Sequence, residues 1–107
     1  MHRYLGPGLL ESAYRECLCW ELLQRGFSIE RERPLPLVYK GHHLDVGYRL
    51  DIIVDGCVLV EVKAVSQLAP IHRAQVITYL RLSGLRTALL MNFNSEVLRD
   101  GIVRLVL

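Results

Sequence analysis

The chain has no long apolar run: among its 107 residues the longest is about five, far short of the roughly 20 a membrane-spanning helix needs. The expectation is a protein without a membrane partner. Met1 is followed by His2, Arg3 and Tyr4, with no apolar core of a signal peptide, so a cytoplasmic location is expected. Cysteine is scarce. Cys17, Cys19 and Cys57 are odd in number and never spaced C-x-x-C, which argues against a disulfide framework or a zinc site. They read as small buried hydrophobes, with Cys17 and Cys19 on different sides of a helix. There is no basic tail, repeat, linker or low-complexity segment. The net charge of +2 tolerates a nucleic-acid partner without demanding one.

What is present is ordinary globular chemistry, 51% hydrophobic and 22% charged, in a length that suits one domain, residues 1–107. Leu9, Leu10, Ala13, Tyr14, Cys17, Leu18 and Leu22 recur at helical spacing, which predicts a well-buried helix over 8–25, opened by Gly6-Pro7-Gly8 and closed by Gly26. Strand-like runs follow at 27–30 and 35–40, then a turn at Gly41-His42-His43. A strand runs to Val54, best over 48–54. Asp55-Gly56 is a hairpin signal, and 57–65 is the returning strand. A second helix is expected over 70–83, a strand buried on both faces over 87–93, a loop, and a last strand over 102–107. The connection from 57–65 through the helix to 87–93 predicts a parallel pair. The fold class is α/β (α+β), a mixed central sheet flanked by helices.

One stretch conflicts with its surroundings. Val60-Glu61-Val62-Lys63 places a carboxylate and an ammonium inside an apolar strand. Alternation puts Glu61 and Lys63 on one face, and Arg49, Asp51 and Ile53 together on the preceding strand. A strict two-residue turn would pair Asp51 with residue 60 and keep the carboxylates apart. A three-residue loop with Gly56 in a left-handed bulge is expected to pair it with 59 and bring them to one face. Two converging carboxylates in an apolar sheet repel and lose hydration. A hard divalent cation compensates, since Mg²⁺ takes one or two carboxylates and keeps waters for substrate oxygens. The plainer alternative is a solvated, charged strand edge.

Asp51, nine residues, then Glu61-Val62-Lys63, on consecutive strands after a helix, resembles the PD-(D/E)XK nuclease superfamily. The core implied is restriction-endonuclease-like, αβββαβ. Gln75-Val76-Ile77-Thr78-Tyr79 is similar to the Q-x-x-x-Y motif of its RecB-like exonuclease branch. Gly8-Leu9-Leu10-Glu11-Ser12-Ala13-Tyr14 looks like the G-x-x-E-x-x-Y string of a bacterial and archaeal family. YKG at 39–41, RLDIIVDG at 49–56 and MNFN at 91–94 fit that pattern. Leu50-Asp51 stands where the superfamily has Pro-Asp. The family's members carry a further helical stretch ahead of the segment that reads HRYLGPG here, so a shortened N-terminus is expected.

The resemblance implies a nuclease dependent on Mg²⁺ or Mn²⁺. Asp51 and Glu61 would be metal ligands, with the Val62 carbonyl as a third oxygen and Glu11 completing the site. Lys63 would orient or deprotonate the attacking water, or stabilise charge. Gln75 and Tyr79, with His72 on the same stripe, would contact nucleic acid. Simpler roles stand beside these. Asp51 or Glu61 could pair with Arg49 or Lys63, and Glu11 could pair with Arg15 at i,i+4. Tyr79 could be a core aromatic, and His72 a partner for nearby polar groups. Asn92 and Asn94 read as turn and capping residues.

The leading expectation is a metal-dependent nuclease acting on DNA. The alternative is a catalytically silent nucleic-acid- or protein-binding module on the same fold. A third is a structural subunit pairing through an edge strand. The sequence leaves open DNA or RNA, single or double strand, exo- or endo-action, and monomer or homodimer.

Overall fold

A computed structural model describes residues 1–107. A short helix α1 (His2–Leu5), not foreseen in the sequence, precedes the Gly6–Gly8 bend and α2 (Glu11–Gln24). Strand β1 (Ile29–Pro34) follows, then a small ribbon of β2 (Leu37–Tyr39) and β3 (His42–Leu44). The chain continues through β4 (Arg49–Val54), β5 (Val58–Lys63), α3 (Pro70–Ser83), β6 (Thr87–Asn92), a 3₁₀ turn (Leu98–Gly101) and β7 (Ile102–Val106). The main sheet runs β1-β4-β5-β6-β7, antiparallel except for the predicted parallel pair β5–β6. No helix is long and apolar enough to cross a membrane.

The run 35–40, expected as a sheet strand, leaves the sheet. The Leu35 N–H makes one last bond, to the Tyr48 carbonyl at 2.9 Å, and Pro36 has no N–H to continue the ladder. Its remainder pairs only within the ribbon. His42 and His43 are not the turn but β3 itself, exposed. The turn is Lys40-Gly41, both at positive φ, as a two-residue hairpin loop of mirror-image type needs.

The sheet separates two cores. On one face α3 brings Val76, Tyr79 and Leu80 onto Leu50, Ile53, Leu59, Ala88 and Leu90. Helical spacing of these three residues makes one stripe. Pro70 starts the helix, and Gly84, left-handed at φ 80, ends it. On the other face Tyr14 and Cys19 of α2 pack with Ile52, Val60, Val62 and Phe93. The expectation of a well-buried α2 is corrected: only Tyr14 and Cys19 are buried, while Leu9, Leu10, Trp20 and Leu23 are exposed. One face of the helix meets the sheet, and Met1, Tyr4 and Leu5 line a pocket with Cys17 and Trp20. All three cysteines are free, and Cys57 is exposed at the hairpin rather than buried.

Tyr14 explains the bend before α2. It is fully buried and stacks on Phe93 at 5.0 Å. Its hydroxyl donates to the Gly6 carbonyl at 2.5 Å and accepts from the Leu9 N–H at 3.1 Å. Asn94 joins it, accepting from the Gly8 N–H at 3.1 Å. Tyr14→Phe keeps the stack but leaves both backbone groups unmet. We expect a loss of about 1–2 kcal/mol in urea unfolding.

Candidate active site

The register places the acids. Val54 pairs with Val58, Ile53 with Leu59 and Ile52 with Val60, so the hairpin loop has three residues, Asp55 to Cys57. Asp55 and Gly56 are both at positive φ, and the Cys57 N–H closes the turn on the Val54 carbonyl. Continuing the count sets Asp51 opposite 61, not 59. Each loop residue pushes the partner further along β5. The two positions share parity, so the expected convergence survives the correction.

The ordinary ladder stops there. Beyond Ile52–Val60 the strands exchange side-chain bonds instead. The Asp51 N–H donates to Glu61 Oε1 at 3.2 Å, and the Val62 N–H donates to Asp51 Oδ2 at 2.9 Å. Each carboxylate thus stands in for a missing strand carbonyl. Strict alternation also fails here. Leu50 packs in the α3-side core with Ile53, while Ile52 lies in the α2-side core, so Arg49, Asp51 and Ile53 do not form one plain face.

Glu61 is only 4% exposed. Burial, and then the Asp51 charge, push its carboxyl up to about 8. The hydrogen bond from the Asp51 N–H and the charge of Lys63 pull the other way. Oε1 is engaged by the Asp51 N–H, while Oε2 accepts no backbone N–H. Since no buried side-chain oxygen lacks a hydrogen bond, Oε2 reaches accessible space. Asp51 Oδ1 is likewise free of backbone bonds and faces Arg15 at 3.7 Å; two carboxylates with one such oxygen each suit a hard cation that keeps its own waters. No third His, Cys, Asp or Glu joins them.

Lys63 follows two residues after Glu61 and is half-buried opposite Asn92 on β6. It makes no ion pair with Asp51 or Glu61, and Arg49 pairs with Asp45 instead. The strand end behind Lys63 is fixed by Asn92, which is buried. Its Oδ1 accepts from the Val65 N–H at 3.0 Å, and its Nδ2 donates to the Val65 carbonyl at 2.9 Å. Position at a strand end suggested capping; the clamp on Val65 required the parallel neighbour.

The other expected residues divide. Gln75 and Tyr79 are together, Nε2 donating to the phenol oxygen at 3.0 Å. Burial, then the charge of Glu61, raises the Tyr79 hydroxyl above its usual range. The pair lines a cavity of about 300 Å³ with Leu37, Tyr48, Ile71 and Leu82. His72 is committed to α3: its Nδ1 accepts from the Ala69 N–H at 2.9 Å. That is helix-start chemistry, because the first N–H groups of a helix lack internal partners. Glu11, at the first position of α2, does not join the carboxylate pair. Its expected partner Arg15 turns away from it, toward Glu32 and Asp51, at 3.7 Å from each. Sequence reasoning missed Arg15 as a site residue. Its only signal was a place one position after the buried Tyr14.

The arrangement is a helix-flanked mixed sheet with an acid on each strand of a hairpin and a lysine two residues beyond the second. The family model of the PD-(D/E)XK nuclease superfamily matches residues 1–105, and the chain belongs to that superfamily. Its members are nucleases, hydrolases that generally use divalent metal ions, and their substrates are nucleic acids. No curated protein and no solved structure matches the chain.

Proposed function

We propose that this chain is a G-x-x-E-x-x-Y-type nuclease that hydrolyses phosphodiester bonds in DNA with Mg²⁺ or Mn²⁺. The observation that carries the reading is the exchange of hydrogen bonds at the end of the β4–β5 ladder, which turns two acids to one point. Asp51 and Glu61 would hold the ion through the carboxylate oxygens that are free of backbone bonds. The Val62 carbonyl leaves the strand on the same edge as its N–H, toward Asp51, and is the third oxygen. The ion, when bound, polarises the phosphate and lowers the pKa of a bound water.

The chain's own groups do the rest. The two backbone N–H donors fix the carboxylates, so the site needs little rearrangement. Lys63, on the Glu61 side of β5, holds the attacking water or the charge that grows on phosphate oxygen. Gln75 and Tyr79 offer an amide and a phenol to the nucleic acid, and Glu11 acts through water from the start of α2. His72 has one ring nitrogen left for a phosphate once Nδ1 has capped α3.

The test is cleavage of end-labelled single- and double-stranded DNA in Mn²⁺ and in Mg²⁺. Metal-dependent products support the reading. DNA retention without cleavage, by folded protein in either ion, makes the chain a binding module and overturns it.

A further inference from the structure

Glu32 is anomalous. It sits in the middle of β1 at φ 50, a left-handed conformation that costs a non-glycine residue free energy. The β1–β4 register pairs Arg31 with Ile52 and Arg33 with Leu50, and skips Glu32. By that count Glu32 lies opposite Asp51, at the level where β4 also leaves its ladder with β5. Three acids from three adjacent strands, Glu32, Asp51 and Glu61, therefore stand in one row. Arg15 of α2 spans the first two, with one guanidinium nitrogen 3.7 Å from Glu32 Oε1 and the other 3.7 Å from Asp51 Oδ1. The ends differ in exposure: Glu32 is 64% exposed at the side chain, Asp51 only 15% and Arg15 19%.

We infer that Arg15 is a resident counter-cation of the metal site, competing with the divalent ion for Asp51 and parked by Glu32. This rests on the reading of Asp51 and Glu61 as metal ligands. Asp51 Oδ2 is held by the Val62 N–H, so Oδ1, the oxygen that Arg15 faces, is the one a metal needs. Positive charges beside one carboxylate repel strongly where water is partly excluded. Arg15 therefore leaves Asp51 as the ion enters, and its second partner, Glu32, gives it a place to go. A guanidinium fork suits phosphate as well as carboxylate. A phosphodiester that takes the fork frees Asp51, so nucleic acid and metal load together, each raising the affinity for the other.

The experiment is Mn²⁺ titration by calorimetry at pH 8.5, without DNA, on the parent chain, Arg15→Met, Glu32→Gln, the double variant and Asp51→Asn. Methionine keeps the aliphatic stem of Arg15 and drops its charge. Arg15→Met is expected to bind Mn²⁺ about tenfold tighter or more. Glu32→Gln is expected to bind more weakly, since Arg15 then rests on Asp51 alone, and to have no effect in the Arg15→Met background. Glu32 is exposed, so its variant keeps the fold and tests the inference even where Arg15→Met is unstable. Unchanged or weaker binding in Arg15→Met, or a Glu32→Gln effect that persists without Arg15, overturns the inference. In that case the metal site stands if Asp51→Asn abolishes binding. Binding untouched by Asp51→Asn removes the site and the inference together.

Discussion

Lys63→Ala is expected to slow DNA cleavage by about a thousandfold at saturating Mn²⁺, with Mn²⁺ binding at pH 9 no weaker than in the parent. On the proposed reading the two effects separate because Lys63 would be a cation beside the ion's seat, not a ligand. Its loss removes a donor for the water or the phosphate, and also removes a repulsion. Asp51→Asn should lose both binding and cleavage, while its amide oxygen still accepts from the Val62 N–H and spares the fold. Single-turnover cleavage beside Mn²⁺ calorimetry distinguishes the two. Lys63→Ala protein that cleaves at the parent's rate would take Lys63 out of the chemistry. Equal loss of binding in both variants would make Lys63 a structural partner of Glu61.

The second large effect is on stability, and its sign depends on pH and metal. Glu61 is held up at about 8 against an ordinary 4.5. The folded chain thus keeps a proton that the unfolded chain has released, and stability falls as pH rises between those values. Glu61→Gln stays neutral throughout, and its amide oxygen can still accept from the Asp51 N–H. We expect the metal-free variant to match the parent near pH 5 and to exceed it at pH 9 by on the order of 2 kcal/mol in urea unfolding. Mn²⁺ reverses the order. An ion at a hundred times its Kd adds about 2.7 kcal/mol to the chain that binds it, and Glu61→Gln should gain little. Mn²⁺ affinity of the parent should climb about tenfold per pH unit up to about 8, because each ion bound displaces one proton. A parent chain whose stability is flat from pH 5 to 9 would remove burial and the Asp51 charge as the cause.

These effects share an origin with the strained backbone. The sheet gives up regular pairing at one level, opposite Glu32 on β1 and at Asp51–Glu61 between β4 and β5. Backbone donors released there go to carboxylates. The price is a buried acid pair and a glutamate at positive φ, set in a sheet whose remaining pairs are regular. Local cost of this kind clusters at functional sites.

Much of this was written in the chain itself. The span of α3, the parallel β5–β6 pair and the conflict at Glu61 follow from hydrophobic period, Pro70 and Gly84 as stops, and a short connection count. These are local signals, and local backbone preference decides them. The convergence of Asp51 with Glu61 was half legible: Asp55-Gly56 announces a hairpin, but its loop length sets the register. Only the tertiary structure decided that length, the break in alternation at Leu50, and the exit of 35–40 into a side ribbon. It also turned Arg15 from Glu11 toward Asp51 and Glu32, and spent His72 on the start of α3. Helical spacing says which residues share a face. Which neighbour that face meets depends on how α2 and α3 pack across the sheet, through contacts between residues far apart in sequence that no local pattern carries.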